Sequence, residues 1–131
     1  MRRLYLSPPC LDGREKELLL QAIDSNWITT LGPQVDAFEN EMCQQLGVSY
    51  AVALSSGTAA LHLACMAADL ESGHTAIVPG ITFLSTANAV RMTGAEVVFA
   101  DVDRDTGRMT AATLKEAIDR AGKAGANVKA V

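Results

Sequence analysis

Three hydroxyls and a glycine stand together at Ser55-Ser56-Gly57-Thr58, just ahead of Ala59-Ala60-Leu61. Residues of these types hold anions: hydroxyls and free N–H groups donate, and a glycine lets a ligand come close to the backbone. The flanking segments say where they must sit. A β-prone run, Tyr50-Ala51-Val52-Ala53-Leu54, leads in, and an almost wholly apolar helical stretch follows. The residues 55–58 therefore fall where a strand's carboxyl end meets a helix's amino end. Unpaired N–H groups and the positive end of the helix dipole favour an anion at such a junction. The segment reads as a candidate phosphate cup, built from the same Ser and Thr that cap ordinary helices. It matches neither a Walker A loop nor Gly-x-Gly-x-x-Gly, and Ser56 is not in a Gly-x-Ser-x-Gly elbow. Nucleoside triphosphate loops, dinucleotide loops and a hydrolase elbow are thereby disfavoured.

A second feature, Val78-Pro79-Gly80-Ile81-Thr82-Phe83, closes the next strand. Ligands of open α/β sheets bind outside the carboxyl ends of strands. Phe83, one of three phenylalanines in the chain, is placed either to stack on a planar ring or to join the core. A phosphate cup and an aromatic plate at two strand ends suit a phosphorylated aromatic cofactor. Other polar residues have plainer readings. His62 and Cys65 lie on an apolar helix and read as core rather than as ligands, and Cys43 falls on the inward stripe of its helix. Asp101, Asp103 and Asp105 lack the glutamate of a calcium loop and read as a strand exit and turn. No metal site is expected.

Bulk properties narrow the class. The chain has 131 residues, 49% hydrophobic and 20% charged, with a net charge of −4 and no basic run. That balance argues for one globular domain or part of one, and against nucleic acid as a partner. Three irregularly spaced cysteines make no disulfide framework, which favours a reducing cytoplasm. Met1-Arg2-Arg3 imitates the start of a signal peptide, but Leu4-Tyr5-Leu6 is too short an apolar core before Ser7-Pro8-Pro9. The longest nearly apolar stretch, Ala59 to Ala68, is about half of the ~20 residues a membrane helix needs.

The positioning elements follow from spacing. A capping box at Asp12 to Glu15 opens a helix with Leu18, Leu19, Ala22 and Ile23 on one face, ending near Asn26. A loop, Trp27 to Pro33, precedes a second helix carrying Val35, Phe38, Met42, Cys43 and Leu46 and stopped by Gly47. Strands are expected at 50–54, 75–78, 96–102 and from 128 on. Helices are expected at about 58–69, 84–92 and 110–121. This alternation predicts an α/β domain with a parallel sheet covered on both faces. The helical segment 1–48 precedes it, and 49–131 is the sheet-bearing domain. The last strand runs into Val131, which suggests the front part of a longer protein.

The two chemical features and their flanks resemble the DegT-type pyridoxal-phosphate aminotransferases, which act on nucleotide-linked keto sugars. The matching segments are Asn26-Trp27-Ile28-Thr29-Thr30-Leu31-Gly32-Pro33, Phe38-Glu39, Leu46-Gly47-Val48, and Ser55-Ser56-Gly57-Thr58-Ala59-Ala60-Leu61-His62-Leu63. They continue with Val78-Pro79, Thr82-Phe83, Ala87-Asn88-Ala89, Gly94-Ala95 and Asp101-Val102-Asp103. The resemblance is collinear over nearly the whole chain. It departs at Glu71-Ser72-Gly73-His74-Thr75, where the family usually has Pro-Gly-Asp, a turn remote from the chemistry.

The resemblance implies an incomplete fold-type-I aminotransferase large domain, a parallel-rich sheet flanked by helices. It implies pyridoxal 5'-phosphate as cofactor, with Gly57 and Thr58 on its phosphate, Ser56 beside them as ligand or cap, and Phe83 on its ring. Trp27 and Thr30 become substrate contacts, and the partners a nucleotide-linked keto sugar, an amino-acid donor such as glutamate, and a second subunit. It further implies that Tyr50 to Leu54 belongs at the far edge of the sheet, away from the next three strands, and would lack a neighbour here. Transamination also needs a lysine to carry the cofactor and move a proton, and an acid beside the ring nitrogen. In the family both lie beyond the position of Val131, and Lys16, Lys115, Lys123 and Lys129 have none of the required desolvation. The fragment alone is expected to be inactive and aggregation-prone. Two rivals stand beside the aminotransferase: a dehydratase with histidine in place of the lysine, and a non-catalytic phosphate-binding module.

Overall fold

The computed structural model describes residues 7–131, so the basic start and the short apolar run at Leu4 to Leu6 lie outside the described residues. The chain divides into two compact units, one up to Ala53 and one from Leu54 to Val131.

The first unit holds two helices. Helix α1 spans Arg14–Asp24 and α2 spans Pro33–Leu46. The expected capping box forms only in half. Glu15 does reach back, accepting from the N–H groups of Asp12 and Gly13 at 3.2 Å, but the Asp12 carboxylate accepts from Arg14, two residues on, and Gly13 becomes the N-cap. The helix consequently begins one residue later than the sequence pattern predicts. Proline stands at the first position of α2, where its missing N–H costs no hydrogen bond, and Gly47 closes that helix. The Gln34 side chain donates to the Leu18 carbonyl at 3.2 Å.

Tyr50 to Leu54 is not a strand, contrary to its β-prone composition. A strand exists only as one member of a ladder, and no described segment pairs with this run. Tyr50 and Val52 stay exposed, and the Ala53 N–H donates to the Glu39 carboxylate at 2.7 Å.

The second unit is a three-stranded parallel sheet with three helices. Its elements are α3 (Gly57–Ala67), β1 (Thr75–Pro79), α4 (Leu84–Met92), β2 (Glu96–Ala100), α5 (Ala111–Lys123) and β3 (Val128–Ala130). The spatial order is β2-β1-β3, with Ile77 opposite Val98 and Thr75 opposite Val128. The second strand stops at Ala100, not Val102, because the Asp101 carboxylate takes the Val102 N–H and turns the chain out of the ladder.

Side chains of β1 alternate between two cores, as a strand buried on both faces requires. Ala76 and Val78 pack with Ala87 and Val90 of α4, with Cys65 of α3 against the same cluster. Ile77 faces the opposite way, onto Ala100 and Ala117 of α5. The two crossover helices therefore lie on opposite faces, and α3 packs on α4. At α5, Thr110 and Thr113 form a reciprocal capping box that fixes the helix start. The guanidinium of Arg120 donates to the carbonyl of Phe99.

Candidate active site

Chain leaving β1 passes to α4 on one face, and chain leaving β2 passes to α5 on the other. The carboxyl ends of these neighbouring strands diverge, which is the switch-point geometry at which α/β sheets bind ligands. A shallow recess of about 270 Å³ opens there, lined by Gly80, Phe99, Ala100, Asp101 and Arg120. None of the residues expected from sequence lines it. They stand on the helix starts instead.

Ser56 is the N-cap of α3, in extended conformation, and its hydroxyl accepts from the Ala59 N–H at 3.2 Å. Its carbonyl accepts from Ala60 at 3.0 Å. Of the four N–H groups that a helix start leaves free, those of Gly57 and Thr58 have no acceptor among the described residues. The Ser56 hydroxyl is thus engaged as a cap, while two adjacent N–H groups and the Thr58 hydroxyl face solvent.

Gly57 has no conformational need to be glycine, since its φ is not in the left-handed region, and no steric one, since a Cβ there would meet nothing within 4 Å. Nothing among the described residues explains its small size. Two donors without an acceptor at a helix start are the groups an anion needs. The residues at this helix start fit a phosphate group.

Phe83 is the N-cap of α4, with φ −63° and ψ 139°, and its ring is 84% exposed. It is not core. The Thr86 N–H donates to the Phe83 carbonyl at 3.0 Å, and the Thr82 and Thr86 hydroxyls lie 3.0 Å apart. Cup and ring therefore stand at the starts of two helices that pack on one another within one unit.

Trp27 and Thr30 belong to the other unit. The Trp27 ring lies over Gly32, whose φ of 133° only glycine adopts readily, and a Cβ on Gly32 would come within 2.8 Å of the ring. Thr30 is exposed.

The acidic run after β2 is occupied with itself. The Thr106 hydroxyl and N–H donate to Asp103 at 2.8 and 2.9 Å and hold its carboxyl below the usual aspartate range. His62 and Cys65 are half-buried on α3. Among the lysines, Lys115 is paired with Asp119 at 2.9 Å, which raises its pKa and keeps it charged. The Thr82–Thr86 pair escaped the sequence reading in part: Thr82 was in a matched motif, but the i, i+4 spacing of two hydroxyls around Phe83 was the signal for Thr86.

The profile of the DegT/DnrJ/EryC1/StrS aminotransferase family matches residues 9–130. GDP-perosamine synthase of Escherichia coli O157:H7 is 37% identical over 124 residues, covering 95% of this chain and 34% of that protein. Among solved structures, a DegT DnrJ EryC1 StrS aminotransferase from Brucella abortus superposes with a TM-score of 0.78 at 35% identity, over 91% of this chain and 32% of the other. Escherichia coli GDP-4-keto-6-deoxy-D-mannose-3-dehydratase with bound hydrated PLP superposes with a TM-score of 0.72 at 29% identity, over 85% of this chain and 30% of the other. The chain spans about a third of the length of the relatives it matches. No helix among the described residues is long and apolar enough to cross a membrane.

Proposed function

The chain belongs to the DegT/DnrJ/EryC1/StrS aminotransferase family, and from that premise we propose that it forms the front third of a cytoplasmic, homodimeric sugar aminotransferase. The enzyme takes pyridoxal 5'-phosphate and replaces the keto group of a nucleotide-linked sugar with an amine drawn from an amino acid such as glutamate, for polysaccharide building. Residues 1–48 serve as an N-terminal helical segment, and 49–131 as the front of the cofactor-binding domain.

One observation carries this reading: the N–H groups of Gly57 and Thr58 have no acceptor among the described residues, and a Cβ on Gly57 would meet nothing within 4 Å. The N–H groups of Gly57 and Thr58 and the Thr58 hydroxyl hold the phosphate, and the Ser56 hydroxyl keeps the helix start in shape. Phe83, exposed at the neighbouring helix start, lies against the pyridine ring. When bound, the cofactor supplies an electron sink that lets an amino group pass between two carbons. Trp27 and Thr30 contact the substrate. The lysine that carries the cofactor and the acid at its ring nitrogen come from the part of the family's length that this chain does not span; Lys115 is engaged by the Asp119 carboxylate at 2.9 Å.

Mixed with pyridoxal phosphate, the full-length protein should develop a yellow absorption band that borohydride reduction abolishes. Supplied with glutamate and a nucleotide-linked keto sugar, it should then release 2-oxoglutarate in proportion to amino sugar formed. Absence of any band sinks the reading. A second reading rests on the dehydratase neighbour: loss of a sugar hydroxyl with no net amino sugar in the same assay would replace transfer by dehydration.

A further inference from the structure

Phe83 presents its ring to solvent, and little holds it there. The ring is 84% exposed, Ile81 two residues before is exposed as well, and the N-cap position offers no side-chain bond to α4. Such a plate would swing unless its backbone were fixed. The segment is fastened at its two ends. At one, the Gly80 N–H donates to the Ala100 carbonyl across the sheet at 2.8 Å. At the other, the hydroxyls of Thr82 and Thr86 meet at 3.0 Å, bracketing Phe83 from both sides in sequence.

The hydroxyl pair is not an ordinary cap. Thr82 precedes the helix but its hydroxyl bonds a side chain, leaving the first N–H groups of α4 without a side-chain acceptor. Thr82 is exposed and Thr86 half-buried, so neither hydroxyl needs a partner to avoid a buried, unsatisfied polar atom. What the pair does is tie the residue before Phe83 to the first turn of α4, while the Thr86 N–H ties Phe83 itself to the same turn.

We propose that the Thr82–Thr86 hydroxyl pair is a clasp that orients the Phe83 ring for stacking on a planar cofactor, with Thr86 as a positioning residue. This rests on the reading of Phe83 as the ring-stacking residue. A clasp of this kind contributes through order rather than through contact: it limits the conformations lost when the ring is covered.

The test compares Thr86→Val, which keeps the shape and removes the hydroxyl, with Thr86→Ser, which keeps the hydroxyl, and Phe83→Ala, all in the full-length protein. Thr86→Val retains the backbone bond to Phe83, so α4 should stay folded. Three quantities are read: the dissociation constant for pyridoxal phosphate, the visible circular dichroism of the bound cofactor, and amide hydrogen exchange over 80–86 without cofactor. Thr86→Val should weaken binding roughly three- to tenfold, the equivalent of one neutral hydrogen bond. It should also reduce the circular dichroism band and speed exchange at Thr82 and Phe83, with Thr86→Ser restoring all three. If Phe83→Ala changes binding and dichroism but Thr86→Val leaves both and the exchange rates as they were, the clasp is overturned and the stacking reading stands. If Phe83→Ala changes neither, the stacking reading falls and the clasp with it.

Discussion

At the scale of single residues, the question at the α3 start is whether its hydroxyls serve the helix or a ligand, and the two hydroxyls differ in their bonds. The Ser56 oxygen accepts from the Ala59 N–H and keeps its own O–H to donate, whereas the Thr58 hydroxyl has no bond among the described residues. Thr58→Val should weaken pyridoxal phosphate retention by roughly tenfold or more, since a hydrogen bond to a charged phosphate is worth about 1.5–3 kcal/mol, with thermal stability of the cofactor-free protein unchanged. Equilibrium dialysis and a melting curve check both halves, and unchanged retention would leave Thr58 a helix-start residue only. The sequence showed this site as a cluster of residue types, and it left open whether Ser56 was ligand or cap. The structure shows the cap contact, at 3.2 Å, which spacing alone does not determine and which leaves the Ser56 O–H free to donate. Phe83 was ambiguous for a similar reason: an aromatic after a strand is either interior or exposed, and here the residue is 84% exposed.

At the scale of elements, the helix and strand boundaries most legible in sequence were those with their own chemical stops. Helix α4 runs from Leu84 to Met92 as its apolar spacing predicts, with Gly94 shortly after it. The alternation of strands and helices announced a parallel sheet, and β2-β1-β3 is one. The run Tyr50 to Leu54 was legible in composition but not in outcome, because propensity belongs to a segment and pairing belongs to two. What holds its end is Glu39, through the Ala53 N–H, a side-chain bond no periodicity forecasts. The Trp27–Gly32 loop is also an element-level device. Gly32→Ala would force a Cβ to within 2.8 Å of the Trp27 ring and a side chain into a backbone region near φ 133°. The expected cost is about 1–3 kcal/mol. Because the chain has a single tryptophan, displacement of its ring should appear directly as a shift in emission maximum, and an unchanged spectrum would show that the loop absorbs the Cβ elsewhere.

At the scale of the whole molecule, the described interior is small in an informative way. Seven of the eleven buried apolar residues are alanines, and Ile77 is the one large side chain fully enclosed. Many larger apolar groups are outside it. Leu19, Ile28, Leu31, Leu46, Tyr50 and Leu84 are all more than 60% exposed, and a mainly apolar groove of about 250 Å³, floored by Ala76 and Val78, lies open beside α3 and α4. Surfaces of this kind drive association when nothing covers them. Produced alone, the 131-residue chain should bind a hydrophobic dye and sediment as a concentration-dependent mixture. A dye-silent monomer with one cooperative unfolding transition would contradict that expectation. The sequence could suggest this only indirectly, since 49% hydrophobic residues is an ordinary figure and exposure is a property of what the chain packs against.

The sheet's two margins are also unlike each other. The Glu96 N–H and the Ala100 carbonyl both point toward β1, so by the two-residue repeat of a ladder the Phe99 carbonyl points outward. Arg120 already engages that carbonyl. On the opposite margin β3 pairs only inward, with β1. A newcomer strand, whether from the same polypeptide or from a stranger, meets a plugged acceptor on one flank and a vacant row of donors and acceptors on the other. The two flanks thus receive an added strand differently: beside β2 it must forgo or displace the carbonyl that Arg120 holds, and past β3 it meets no such side chain among the described residues.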